Sequence, residues 1–255
     1  MMLPDLERLL KIAVDAGAAI LTVYNNPGEA GLIKLKTDQS PLTLADEASH
    51  TIIEQGLQAL TPHIPILSEE GADIPYQVRQ QWQTFWCVDP LDGTKEFIRR
   101  NGEFTVNIAL IQDQQPVLGI IYVPVTGTLY YGGTGIGGSY KRTAGGGTHP
   151  IQVAADASQW VAVGSRSHAA AEEADVLSRY PITASITAGS SLKFCLVAEG
   201  KAHLYYRHGP TMEWDTAAGQ AIVTASGGVM TMPDGAPFVY NKPVLLNSGF
   251  LCKVR

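Results

Sequence analysis

The run Phe85-Trp86-Cys87-Val88 leads without a break into Asp89-Pro90-Leu91-Asp92-Gly93-Thr94-Lys95-Glu96-Phe97, and this junction limits what the chain can become. The apolar and aromatic residues predict the end of a buried strand, so both aspartates emerge where that strand leaves the core. Pro90 fixes its own φ and drives Asp89 to an extended conformation. Gly93 permits a sharp turn, and the residues after it open a helix with Thr94 at its cap. Two carboxylates so close on a tight turn repel each other. A hard divalent cation with oxygen ligands, magnesium first among them, is the usual means of holding them together. Backbone amides following Gly93 point outward from the helix start, a common place for phosphate. Metal and phosphate together imply phosphoryl chemistry; taken alone, a D-x-x-D-G run is equally an Asx-type turn with solvated aspartates.

A chain of 255 residues is enough for two lobes of one body. Its net charge of −6 argues against holding a nucleic acid polymer by counterion release, while leaving room for a local basic pocket that binds a small-molecule anion. Cys87, Cys195 and Cys252 stand apart in mostly apolar runs and match no C-x-x-C spacing, as expected of a reduced, cytoplasmic setting. The chain does not open on a basic segment followed by an unbroken apolar core, and no window is apolar enough to span a bilayer. A soluble protein without a transmembrane segment is therefore expected.

Leu6, Leu9, Leu10, Ala13, Val14, Gly17, Ile20 and Leu21 recur at helical spacing and predict a first amphipathic helix ending near Tyr24-Asn25-Asn26-Pro27-Gly28. A second helix runs from about Thr43 to Leu60 with Asp46 in its first turn, where it either complements the helix dipole or serves a site. Ile64-Pro65-Ile66-Leu67 is a short strand delivering Ser68-Glu69-Glu70, which is either a solvated loop or a further source of metal oxygen. From Phe104 to about Val153, β-branched and aromatic runs broken by turns predict an antiparallel meander. Gly133-Thr134-Gly135-Ile136-Gly137-Gly138 has the form G-x-G-x-x-G, but it follows a meander strand and leads into no helix. It reads as a hairpin loop, not a dinucleotide fingerprint. Past Gly145-Gly146-Gly147 the pattern changes to strand then helix, which puts the expected boundary between an N-terminal lobe, 1–153, and a C-terminal lobe, 154–255. In the second lobe strands are expected at Trp160 to Gly164, Ile182 to Thr187, Ala202 to Tyr206, Val229 to Met232 and Val244 to Leu246. Helices are expected near Ala169 to Ser178, at Ser191 to Glu199, and from Glu213 to the Gly227-Gly228 stop, with Asp215 as N-cap of the last.

Ser68-Glu69-Glu70, Asp89-Pro90-Leu91-Asp92-Gly93-Thr94 and Trp214-Asp215-Thr216-Ala217-Ala218 occur in the order and approximate spacing of one superfamily. The chain resembles the magnesium-dependent, lithium-sensitive inositol monophosphatases over essentially its whole length. Within them, Ser165-Arg166-Ser167-His168 and the run from Gly189-Ser190-Ser191-Leu192-Lys193 to Gly200 look like the bacterial 3′(2′),5′-bisphosphate nucleotidases. The resemblance implies an α/β (α+β) fold, a layered αβαβα sandwich of the inositol monophosphatase and fructose-1,6-bisphosphatase type. It also implies two or three Mg2+ ions at the junction of the lobes. Carried over position by position, Glu69, Asp89, Asp92 and Asp215 would give carboxylates to the ions, Leu91 its main-chain carbonyl, and Glu70 an outer contact. Thr94 and Asp46 would be the catalytic pair, the hydroxyl orienting the attacking water and the aspartate accepting from the hydroxyl. The scissile phosphate would rest on the amides of Gly93 and Thr94, among the metal-binding residues.

For substrate choice, Ser190, Lys193, Arg207 and His168 match positions that hold the nucleotide in the related enzymes. Ordinary surface charge and capping is the alternative, weakened for Lys193 by its apolar neighbours Leu192 and Phe194. The implied reaction converts adenosine 3′,5′-bisphosphate to AMP and phosphate, with the sulfated analogue of sulfate assimilation as a second substrate to test. An inositol or sugar phosphate monoesterase is the rival enzyme, and a non-catalytic nucleotide-binding protein the rival from another class. The same resemblance carries association with the cytoplasmic face of the inner membrane, although the sequence shows no amphipathic anchor. Nothing in it fixes an oligomeric state.

Overall fold

The computed structural model describes residues 4–26, 33–35, 41–71, 73–155, 158–165 and 171–255. The first apolar stripe forms α1 (Leu6–Tyr24), capped by Asp5, whose side chain accepts from the Arg8 amide at 3.2 Å. An antiparallel pair of short strands, β1 (Ile33–Leu35) and β2 (Pro41–Thr43), precedes α2 (Leu44–Leu60). Next come β3 (Ile66–Ser68), a 3-10 turn at Glu69–Gly71, the short α3 (Tyr76–Arg79), β4 (Thr84–Asp92) and α4 (Thr94–Ile98). The meander is β5 (Thr105–Gln112), β6 (Gln115–Val123), β7 (Thr128–Gly133), β8 (Gly138–Arg142) and β9 (Thr148–Ile151). The remainder comprises β10 (Trp160–Ser165), α5 (Ala171–Leu177), β11 (Ile182–Ala188), α6 (Leu192–Ala198), β12 (Leu204–Arg207), β13 (Thr211–Met212), α7 (Glu213–Ala225), β14 (Val229–Thr231), β15 (Leu246–Asn247) and β16 (Phe250–Lys253).

Strands β3 to β9 form a seven-stranded sheet in sequential order, parallel only between β3 and β4. A five-stranded sheet has the order β11-β10-β12-β16-β14, and β13 pairs separately with β15. The alternation of side chains along each strand decides the layering. On β4, Trp86 and Val88 face Leu9, Leu10, Ile53 and Leu57 of α1 and α2, whereas Phe85 and Cys87 join Phe194, Val197, Ala218 and Ile222 of α6 and α7. The far side of α6 and α7 meets Val163, Tyr205, Phe250 and Cys252 of the second sheet. Val176 and Leu177 of α5 then pack on that sheet's outer face against Leu204, Tyr206 and Leu251. The result is the expected αβαβα sandwich.

The central helix layer lies very close to the first sheet. A Cβ on Gly119 of β6 would sit 2.3 Å from the Ala218 carbonyl oxygen of α7, and one on Gly219 the same distance from the Phe194 ring. Buried contacts therefore run continuously across the expected 153/154 boundary. The glycine cluster after β7 turns through a 3-10 segment, Thr134–Ile136, into β8 as a hairpin connection.

Several local expectations are corrected. Gly93, at φ 94°, caps α4, and Thr94 is the first helical residue, because the reversal out of β4 requires a left-handed conformation that glycine adopts without strain. Met212 caps α7; Asp215 sits in the first turn and accepts from the Met212 amide at 2.8 Å, reaching back to a donor the helix leaves unpaired. Strand β15 is displaced from the expected Val244 to Leu246 and belongs to the small β13 pair, while β16 was not anticipated.

Candidate active site

The end of β4 is irregular because Pro90 cannot donate to the ladder. Asp89 pairs with Asn107 and Asp92 with Thr105, so the aspartate strand carries one residue more than its partner and bulges. Ser49 of α2, fully buried, donates to the Pro90 carbonyl at 2.7 Å and fixes the bulge from below. Within it the Leu91 amide donates to Asp89 Oδ1 at 3.0 Å, and the Leu91 side chain is buried in the core. The parallel neighbour β3 ends at the same edge and places Glu69 and Glu70 on the following 3-10 turn. The first turn of α7 brings Asp215 from the other side.

These acids share a field. Burial raises the Asp89 carboxyl well above its ordinary value, and repulsion from Glu69, Asp92, Asp215 and Asp46 adds to it. Asp215 is raised by burial and then by Asp92, against the opposing Met212 amide. Asp92 is raised by burial, opposed by the Lys193 charge and by hydrogen bonds from Ser191 and Asn107. Among the described residues no three acidic, histidine or cysteine side chains form a complete metal cage. The arrangement nevertheless fits a hard cation: buried, mutually repelling carboxylates offering oxygen only are relieved by a divalent ion that completes its shell with carbonyl oxygen and water, as magnesium does.

A cavity of about 250 Å³ opens beside the cluster. Glu69, Asp92, Gly93, Thr94, Ser190, Lys193, Arg207 and Asp215 all line it, so eight of the anticipated residues meet around one space. Asp46, almost fully buried on α2, accepts from the Thr94 hydroxyl at 3.5 Å. His168 falls outside the described residues. Lys193 is buried at the foot of α6; its ammonium donates to the carbonyls of Ser190, at 2.5 Å, and Ala188, at 3.4 Å, and lies 5.4 Å from the Tyr205 ring centroid. An ammonium carries three donors, so one is left for the cavity. Burial lowers the Lys193 pKa, Arg207 pushes the same way, and Asp92 opposes them. Ser190 holds a left-handed φ of 42°, costly for a residue with a side chain, and its buried Oγ has no hydrogen-bond partner among the described residues.

Residues 5–252 match the model of the inositol monophosphatase family. The chain belongs to the inositol monophosphatase family. It is 49% identical to the 3′(2′),5′-bisphosphate nucleotidase CysQ of Escherichia coli O6:H1 and to that of Salmonella typhimurium, covering 96% of this chain and 98% of each relative. Among solved structures, the family member CysQ from Bacteroides thetaiotaomicron superposes with a TM-score of 0.85 at 42% identity, covering 97% of this chain and 96% of that one. An inositol monophosphatase from Anabaena superposes with a TM-score of 0.75 at 25% identity, covering 97% and 89%. Members of this family are in general metal-dependent phosphatases, in keeping with the acidic cluster. No helix among the described residues is long and apolar enough to cross a membrane.

Sequence reasoning passed over Asn107, Ser191 and Ser49. Ser191 donates to Asp92 Oδ2 at 2.7 Å, and Asn107 Nδ2 donates to the same oxygen at 3.3 Å and to Ser191 Oγ at 2.9 Å. Asn107 did carry a signal, a carboxamide inside the apolar run of β5, where a buried polar group demands partners.

Proposed function

We propose that this chain is a magnesium-dependent 3′(2′),5′-bisphosphate nucleotidase of the cytoplasm, hydrolysing adenosine 3′,5′-bisphosphate to AMP and phosphate and accepting the sulfated analogue as a further substrate. What carries the reading is one cavity lined by carboxylates together with Lys193 and Arg207, in a chain alike over nearly its whole length to proteins of that name. A substrate with two phosphates needs both kinds of group.

Glu69, Asp89, Asp92 and Asp215, with the Leu91 carbonyl, would hold two or three Mg2+ ions, braced from outside by Glu70. Such ions supply Lewis-acid polarisation of a phosphoryl oxygen and ease proton loss from water. The amides of Gly93 and Thr94 orient the 3′-phosphate at the start of α4. Thr94 Oγ1 accepts a hydrogen bond from the attacking water while donating to Asp46, so the water's proton has a path to that buried carboxylate. The water oxygen bonds to phosphorus as the bond to the ribose 3′ oxygen breaks, and that oxygen leaves with a proton drawn from solvent. No covalent phosphoenzyme is needed. Lys193, Arg207, Ser190 and His168 hold the 5′-phosphate, with Arg207 suited to two-pronged contact.

The test compares kcat/KM for adenosine 3′,5′-bisphosphate, inositol 1-phosphate and fructose 1,6-bisphosphate with magnesium present. The bisphosphate nucleotide is expected to lead by about 100-fold. Lys193→Ala is expected to cost it about 30-fold or more, the scale of losing a buried charge contact, with a far smaller loss on inositol phosphate. An equal loss on all substrates would remove Lys193 from the specificity pocket, and a preference for inositol phosphate would overturn the nucleotidase reading.

A further inference from the structure

Asp89, Asp92 and Asp215 share a feature that the family likeness does not supply. Each has one carboxylate oxygen committed inside the protein: Asp89 Oδ1 to the Leu91 amide, Asp215 Oδ2 to the Met212 amide, and Asp92 Oδ2 to Ser191 and Asn107. Among the described residues the opposite oxygen of each carries no hydrogen bond. Two of these commitments come from backbone amides of local turns. The third is made by side chains brought from elsewhere in the fold.

Ser191 occupies the N-cap position of α6, yet its side chain makes no capping bond. Its single hydroxyl hydrogen has a carboxylate oxygen at 2.7 Å and the Asp215 carbonyl at 3.1 Å, and the shorter, charge-assisted contact takes it. Asn107 is 1% exposed, and its carboxamide oxygen accepts from Thr105 Oγ1 at 3.0 Å, which turns the amino group toward Asp92 and Ser191. Asp92 Oδ2 therefore meets two donors at once. A cation approaching from the cavity finds Oδ1.

We infer that Ser191 and Asn107 are positioning residues that together occupy one oxygen of Asp92 and make it a one-oxygen ligand, and that this selects a small octahedral ion such as magnesium over calcium. Magnesium keeps six ligands in near-ideal geometry and retains water, whereas calcium takes six to eight and favours carboxylates that give both oxygens. The inference rests on the metal-dependent reading above and concerns how these residues choose the ion.

Calorimetric titration of substrate-free protein with Mg2+ and with Ca2+ tests it without recourse to activity. Ser191→Ala removes the nearer donor to Asp92 Oδ2 and leaves only the 3.3 Å contact from Asn107, without removing a helix cap. It is expected to weaken Mg2+ binding by about 10-fold, the usual scale for removing such a supporting contact, and to leave Ca2+ binding within about 2-fold or tighter. Asn107→Ala is expected to move the preference the same way, and the double variant, which leaves Oδ2 with neither donor, to move it furthest. Equal weakening of both ions, or an unmoved preference, in folded variants overturns the inference; should Ser191→Ala fail to fold, Asn107→Ala decides it. If the unaltered protein binds neither ion, the metal-dependent reading itself falls, an outcome separable from a bound ion whose preference the variants do not shift.

Discussion

Asp92 shows what it costs to gather this cluster. Its carboxyl, like those of Asp89 and Asp215, holds its proton more tightly in the folded protein than at the ordinary value of 3.8. Such groups give stability that is fully present below about pH 3.8 and lost as pH rises through the raised folded value, so near neutrality the metal-free cluster opposes folding. Asp92→Asn removes one charge and relieves its neighbours. In chelator at about pH 8 this variant is expected to melt above the unaltered protein by several degrees, about 2–4 °C per kcal/mol, with the gap closing toward about pH 4. Its phosphatase activity is expected to fall by about 100-fold or more. A variant melting at or below the unaltered protein throughout that range would contradict the repulsion argument. At this scale the acids were legible, because carboxylates at strand and helix ends are conspicuous in sequence. Ser191 was not, since a serine before a helix reads as a cap and only its distance to Asp92 reveals another task.

Helix α7 is the element on which the site's geometry turns, carrying Asp215 in its first turn while its middle presses on β6. Gly119→Ala would put a methyl against the Ala218 carbonyl, where the obstacle is backbone and cannot swing aside. The substitution is expected to cost about 1–3 kcal/mol and to raise the magnesium concentration giving half-maximal activity, because the helix that moves holds a ligand. Gly145→Ala, with nothing within 4 Å, is the control expected to melt unchanged. If Gly119→Ala behaves like the control, the close approach is not a determinant of the site. Most elements were readable from periodicity, including the meander and the paired helices of the first layer. Strand β16 was not, because Phe250–Lys253 is short and its partners β12 and β14 are distant in sequence, so no local pattern announces the pairing.

Over the whole molecule, α6 and α7 contribute side chains to both sheets, and one buried cluster runs from Phe85 and Ile121 to Tyr205 and Cys252. The two lobes read from the change of pattern after Gly147 are therefore expected to unfold together, in a single transition seen alike by calorimetry and by near- and far-ultraviolet dichroism. Two resolved transitions would show the lobes to be independent. By itself the sequence determined the elements, the alternation that sends each strand's residues to opposite layers, and the acids that could meet a cation, because these follow from local spacing and residue chemistry. Only the tertiary structure decided that the ends of β3 and β4 and the start of α7 meet at the same cavity, which oxygen of Asp92 takes the Ser191 and Asn107 donors, and that Lys193 lies in the field of Asp92. Those outcomes depend on contacts between residues far apart in the chain, and no local pattern encodes a distance.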